Sequence, residues 1–149
     1  MPYLTSRQKI VLASLSLCPD ASLSPVQAQK LFFLIDEKIA RLLGGRQFDF
    51  RPYDYGPFDK SVYSEFESLE RQGYVTITPF GPIGGKRRYG LSSIGMELGT
   101  KLQADLPSEA ATFIQETASW IRSMSFAQLV GAIYSAYPHM RSNSVFKKE

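Results

Sequence analysis

The residue types that most often carry catalysis are scarce in this chain of 149 residues. It contains one histidine, His139, and one cysteine, Cys18. A zinc site of the usual kind needs three or four Cys or His ligands, and a Ser-His-Asp triad would have to use His139. No strand–Ser–helix elbow accompanies that histidine. We therefore expect no metal, no cofactor and no catalytic residue, and we predict a binding protein rather than an enzyme.

Two further patterns could do chemistry but match their motifs poorly. Asp49, Asp54 and Asp59 recur every five residues, a spacing that no regular element holds on one face. We interpret them as helix caps and surface charges. The glycine-rich stretch before Lys86 lacks the Ser or Thr, and the helix, that follow the lysine of a phosphate-binding loop.

The sequence contains clearer candidates for binding than for catalysis, and the first is the basic run Lys86-Arg87-Arg88. On a hairpin strand these residues could contact phosphates, and they are the candidate nucleic-acid-binding residues of a DNA-binding regulator. The helix predicted over 58–72, which would enter the DNA groove, carries four acidic and two basic residues, a net charge of −2. We expect its acids, Glu65 among them, to be exposed. That charge opposes insertion between phosphates and favours a protein partner.

Aromatic residues form a second candidate surface between positions 48 and 63. Tyr is enriched at interface hot spots, which favours partner binding, whereas packing around the start of helix three is the structural alternative. The cluster consists of Phe48, Phe50, Tyr53, Tyr55, Phe58 and Tyr63. The predicted partner-binding residues are Tyr53, Tyr55, Phe58, Lys60, Tyr63 and Ser64.

Clear start and stop signals define the helices that position these residues in the first half of the chain. A capping box of Thr5 and Gln8 predicts a first helix over 6–17. Ser24 and Gln27, with a proline between them, predict a second helix that ends at Gly44-Gly45. Residues 46–56 predict a short strand or an extended segment, at a sheet edge rather than at its centre because of Pro52.

Helix three and the hairpin follow. We expect Gly56 to adopt positive φ and Pro57 to open helix three, which Gly73 ends. The stretches 74–78 and 86–91 then predict two strands joined by a turn-rich tip over 79–85.

Three more helices are predicted beyond the hairpin. Helix four covers 94–104 with Ile94, Leu98 and Leu102 on one face, and helix five covers 108–122. Helix six begins behind Ser125 and is expected to expose Tyr134 and Tyr137, which would suit a homodimer. The polar tail over 141–149 is expected to be loose.

The predicted fold is mainly α with a small β-hairpin: a winged-helix-like unit plus two C-terminal helices. Residues 1–149 form a single winged-helix-like domain, since the last two helices are too short for a core of their own. No apolar run reaches 18 residues and no signal peptide is visible, so we expect no membrane contact and a cytoplasmic location. The lone cysteine suits a reducing compartment, and the net charge of +3 is only mildly basic.

Two stretches resemble a known family. QKLFFLID over 29–36 and PYDYGPFDKSVYSEFESLERQGYV over 52–75 resemble the YwgA-like bacterial proteins and, more loosely, the Panacea or SocA-like antitoxin domain. The ending IYSAYPHMRSNS over 133–144 is similar to the YwgA-like ending. The resemblance implies a non-enzymatic protein-interaction module, antitoxin-like or a phage-defence adaptor, that binds a toxin or defence component.

Overall fold

Six α-helices and two antiparallel β-hairpins make up the part of the chain that the computed structural model describes, residues 3–81 and 86–145. The helices are α1 (Ser6–Ser16), α2 (Pro25–Ile39), α3 (Lys60–Arg71), α4 (Ser93–Gln103), α5 (Ser108–Arg122) and α6 (Phe126–Ala136). The strands are β1 (Arg51–Tyr53), β2 (Gly56–Phe58), β3 (Val75–Phe80) and β4 (Lys86–Leu91). The predicted mainly helical fold with a small hairpin is confirmed.

Capping boxes start α1 and α2 as the sequence predicts. The Thr5 side chain accepts a hydrogen bond from the backbone N–H of Gln8, and the Gln8 side chain accepts one from the N–H of Thr5. Ser24 and Gln27 repeat this exchange before α2. The α-helix stops at Ile39, earlier than predicted, because the chain tightens into a 3₁₀ turn before the two glycines.

The extended segment after α2 forms a hairpin of its own. β1 pairs with β2 so that Pro52 faces Pro57. The prediction that Pro57 opens helix three was wrong, because Pro57 lies within β2. Gly56, at φ +106°, permits the reversal that pairs the strands, and the Asp59 carboxylate then caps α3 by accepting the N–H of Ser61 at 2.8 Å.

The second hairpin follows α3 as predicted, with Val75 opposite Leu91. The predicted tip falls partly at 82–85, outside the described residues. α4 then packs closely on the preceding elements, because Gly95 lies against the backbone of Tyr74. Ile94, predicted to share the packed face of α4, is 64% exposed. That prediction was wrong because glycine, not isoleucine, forms the contact.

The last two helices pack on the first unit, as predicted. α5 lies against α2 and joins the same core through Ala110, Ile114, Ala118 and Ile121. Tyr134 of α6 was expected to be exposed, but only 4% of its surface is accessible, because the chain beyond α6 folds back over it. Tyr137, half-buried, meets the ring of Phe33 at 4.8 Å.

The C-terminal segment is held against the first hairpin over its described part. The Tyr134 hydroxyl is hydrogen-bonded to Oγ of Ser144 at 2.6 Å. Ser144 Oγ and the Val145 N–H both donate to the carbonyl of Asp54. The Asn143 side chain donates to the carbonyl of Pro52 at 3.2 Å. Of the tail expected to be loose, residues 143–145 are therefore anchored, and 146–149 lie outside the described residues. None of the described helices is long and apolar enough to cross a bilayer.

Candidate functional site

The potential nucleophiles are poorly placed for chemistry. Cys18 is buried, and burial raises the pKa of its thiol to about 12, so the thiolate is scarce at neutral pH. His139 lies exposed in the 3₁₀ turn after α6. Within 3–81 and 86–145, no three His, Cys, Asp or Glu side chains are grouped closely enough to hold a metal ion.

The three regularly spaced aspartates have separate structural partners. Asp59 caps α3 and also accepts the backbone N–H of Asp49 at 2.8 Å. The Asp49 carboxylate pairs with Arg51, and Asp54 contacts the C-terminal segment through its carbonyl. This arrangement agrees with their interpretation as caps and surface charges. No two of the three carboxylates contact each other as an acid–base pair would.

A groove of about 690 Å³ lies where five elements meet: the start of α2, the β1–β2 turn, α3 at Tyr63, strand β4 and the start of α6. We call it the aromatic groove. Its lining residues are Ser24, Pro25, Val26, Gln27, Tyr55, Tyr63, Lys86, Arg87, Met124, Ser125, Phe126 and Leu129. Four of the residues predicted as binding candidates, two aromatic and two basic, are therefore brought together here.

One wall of the aromatic groove is the pair Tyr55 and Phe126. Their ring centroids are 5.1 Å apart in an edge-to-face arrangement. Tyr55 is 41% exposed and Phe126 is 46% exposed, so both rings offer apolar area to a bound molecule. Below them, Leu129 is buried in the core.

A row of three rings in contact extends the groove over the hairpin surface. Tyr53 stacks on Phe58 at 4.7 Å, and Phe58 meets the edge of Tyr63 at 5.6 Å. Tyr63 is half-buried, and burial raises the pKa of its hydroxyl. The predicted cluster thus divides, because Phe48 is buried against Phe32, whereas Tyr53 remains 51% exposed.

The hairpin cations are not equivalent. Arg87 lies 5.7 Å from the centre of the Tyr63 ring and 4.0 Å from the carboxylate of Glu67. Arg88 points elsewhere, since its guanidinium donates to the Ser22 hydroxyl at 3.3 Å. Lys86 is exposed at the rim. The predicted three-residue phosphate contact is therefore split between the groove and the α1–α2 loop.

The remaining predicted site residues lie on α3, outside the lining. Lys60 and Ser64 are exposed, and the Ser64 hydroxyl donates to the carbonyl of Lys60. Glu65, expected to be exposed, is buried and binds the side chains of Arg7 and Gln8, so that expectation was wrong. One acid of the helix is thus part of its packing rather than its surface.

Phe126 is the main groove residue that sequence reasoning missed. It is one of the apolar residues that recur along helix six, together with Leu129 and Val130. In the structure it occupies the first turn of α6, directly after the Ser125 cap, and points outward beside Tyr55. Only the packing of α6 against the β1–β2 turn distinguishes it from the buried members of that face.

The lining of the aromatic groove is electropositive. Among the residues that the structure describes, Lys86 and Arg87 are the only charged members of the lining, and no described Asp or Glu belongs to it. The helices α2 and α6 begin at the groove, which adds the positive ends of two helix dipoles. Each capping serine accepts one backbone N–H, that of Gln27 in α2 and that of Gln128 in α6.

A buried lysine lies under the hairpin beside the groove. Lys30 of α2 is 2% exposed, and its Nζ would be 3.5 Å from a Cβ placed on Gly56. No hydrogen bond or ion pair reaches Nζ from residues 3–81 or 86–145. Burial lowers its pKa from 10.5 to about 8.

Comparison of the chain with models of protein families, with curated proteins and with solved structures finds no match.

Proposed function

We propose that this chain is a non-enzymatic protein-interaction module that binds its partner in the aromatic groove and on the adjoining rings of Tyr53 and Phe58. The observation that carries the proposal is the exposed pair Tyr55 and Phe126, in a concave site lined by three helices and both hairpins. Aromatic residues in such pockets supply most of the affinity at many protein interfaces.

The first hairpin supports this role because it is firmly positioned. Its turn is hydrogen-bonded to the C-terminal segment at Asp54, and β1 accepts the Asn143 side chain at the carbonyl of Pro52. Side chains on a rigid support lose less conformational entropy on binding. Tyr53 and Tyr55 are therefore presented in a fixed arrangement.

The antitoxin-like or phage-defence role belongs to the same proposal and names the kind of partner, a toxin or another defence component. It rests on the resemblance of residues 29–36 and 52–75 to the YwgA-like and Panacea-like proteins. In this proposal the contact lies at the hairpin between α2 and α3, within the second resembling stretch.

A DNA-binding regulator is the alternative function, favoured by the exposed cations of β4. Two features weigh against it. Arg87 pairs with Glu67, and Arg88 donates to Ser22, so part of the basic run is engaged within the protein. The acidic surface of α3 adjoins the hairpin through Glu67. Duplex DNA would have to displace these contacts.

Site-directed photo-crosslinking in the native host tests the proposal. Benzoylphenylalanine is introduced at position 55 in place of Tyr55 and, as a matched control, at position 120 in place of Trp120. Trp120 is an exposed aromatic on α5 outside the groove lining. We expect one discrete protein adduct from position 55 and none of that mass from position 120. Equal adducts from both positions, or none from position 55, would contradict the proposal.

A further inference from the structure

Resting on the proposed function, we infer that the partner segment in the aromatic groove is acidic and carries an apolar or aromatic anchor side chain. The site offers two chemically distinct surfaces side by side. Tyr55, Phe126 and Met124 form an apolar recess, and Lys86 with Arg87 forms a cationic rim on β4. A segment that fills both must combine an apolar side chain with neighbouring carboxylates.

Charge complementarity indicates that the partner segment is negatively charged. The described part of the lining contains two cations and no carboxylate, and Arg87 meets the carboxylate of Glu67 at the outer limit of 4.0 Å. Such a long contact between half-exposed side chains is weak. A carboxylate of the partner can therefore replace Glu67 as the partner of the Arg87 guanidinium. A guanidinium binds a carboxylate with two parallel hydrogen bonds.

The apolar recess indicates that the partner carries an anchor side chain. Tyr55 and Phe126 keep 41% and 46% of their surface exposed, although each already packs on the other. An apolar side chain placed between this pair and Tyr63 would cover area that now faces water. Burial of apolar area is the main favourable term in association, whereas the rim charges govern orientation and specificity.

Single-stranded nucleic acid is the competing occupant, since it also combines negative charge with stacking on aromatic rings. The geometry favours the peptide. Tyr55 and Phe126 meet edge to face at 77°, an arrangement in which the edge of one ring covers the face of the other. Two rim cations are also few for a binding mode in which backbone phosphates supply much of the affinity.

Binding of defined peptide libraries tests the inference. The probes are fluorescein-labelled octapeptides with Asp or Glu at six positions and Leu, Phe, Tyr or Trp at the other two. The matched library carries Lys at the six acidic positions, and a labelled dT octamer provides the nucleic-acid probe. Affinity is read by fluorescence anisotropy at low salt, with protein up to about 1 mM.

The expected result is binding of the acidic library at least fivefold tighter than the Lys library or the dT octamer. Removing the rim charges in the double variant Lys86→Ala/Arg87→Ala should weaken it at least fivefold. The control variant Lys38→Ala/Arg71→Ala removes one exposed Lys and one exposed Arg elsewhere and should leave it unchanged. Reversal in Lys86→Glu/Arg87→Glu should shift the preference to the Lys library.

The inference and the proposed function can fail separately. If position 55 crosslinks to a protein but no library of either charge binds, or the Lys library binds equally well, the acidic segment is refuted while the interaction module stands. If the dT octamer binds tighter than the acidic peptides and loses affinity in Lys86→Ala/Arg87→Ala, the groove takes nucleic acid instead. Circular dichroism of each variant confirms that these exposed substitutions leave the fold intact.

Discussion

The ring of Tyr55 in the β1–β2 turn packs edge to face on the ring of Phe126 in the first turn of α6, with their centroids 5.1 Å apart. The two residues are 71 positions apart in the sequence and come from the two halves of the chain. Their contact closes one wall of the aromatic groove. The proposed binding site therefore exists only when the C-terminal helices are docked on the first unit.

The Tyr55–Phe126 pair should contribute little to folding. We expect Tyr55→Ala and Phe126→Ala each to lower the free energy of unfolding by less than about 1 kcal/mol, because both rings are more than two-fifths exposed. Their coupling in a double-mutant cycle should be about 0.5 kcal/mol. Urea denaturation measures all four proteins. A coupling energy of zero would show that the rings do not meet in solution.

Lys30 should destabilise the fold at neutral pH. Its pKa of about 8 in the folded protein lies below the ordinary 10.5, so the buried, charged form carries a penalty that is fully present below pH 8. Between pH 8 and 10.5 the unfolded chain keeps more protons, and stability rises with pH. The total rise should be about 3 kcal/mol.

The variant Lys30→Met tests this expectation because it removes the amine but keeps a flexible chain of similar length. At pH 7 it should be more stable than the wild type, and the difference should shrink as pH rises from 8 towards 10.5. Urea denaturation of both proteins at several pH values gives the difference in their free energies of unfolding. The titration of all other groups cancels in this difference. A stability difference that stays constant over this range, or a less stable variant at pH 7, would contradict the account.

The effect of replacing a glycine by alanine on stability should depend strongly on its surroundings. A Cβ on Gly95 would lie 1.8 Å from the carbonyl oxygen of Tyr74, so Gly95→Ala cannot be accommodated without moving α4. We expect loss of cooperative folding or a large drop in melting temperature. Gly131 of α6 has nothing within 4 Å of that position, and Gly131→Ala should stabilise the protein by about 0.5–1 kcal/mol. Thermal melts distinguish the two, and similar effects would refute the packing.

The acids of α3 should also behave differently from one another. Glu65 is buried and accepts hydrogen bonds from Arg7 and Gln8, so Glu65→Ala removes one acceptor from each of these side chains. We expect a loss of about 1–3 kcal/mol. Glu70 is exposed on the same helix, and Glu70→Ala should change stability by less than about 0.5 kcal/mol. Equal effects in chemical denaturation would mean that Glu65 is not buried in solution.

Features encoded by neighbouring residues could be predicted from the sequence. The capping boxes at Thr5 and Ser24 depend on side chains three positions apart, and both were found where the pattern placed them. The hairpin after α3 follows from β-branched strands and a turn-rich tip. Pro57 shows the limit, because a proline suits both a helix start and a short hairpin strand.

Features that depend on long-range packing could not be predicted. Tyr55, Tyr63, Lys86 and Arg87 were recognised as binding candidates, but nothing local indicated that they share one groove. Phe126 and Ile94 both occupy helical positions with an apolar period, yet each is exposed because the facing surface comes from a distant segment. Glu65 is the converse case, an acid whose burial depends on Arg7 in another helix.

Affinity for the crosslinked partner tests the central claim most directly. The protein captured from position 55 is purified and titrated calorimetrically against the wild type, Phe126→Ala and the control Trp120→Ala. We expect Phe126→Ala to weaken binding at least tenfold, as loss of a buried aromatic anchor does, and Trp120→Ala to leave the Kd within about twofold. Equal affinities of all three proteins for the partner would contradict binding in the aromatic groove.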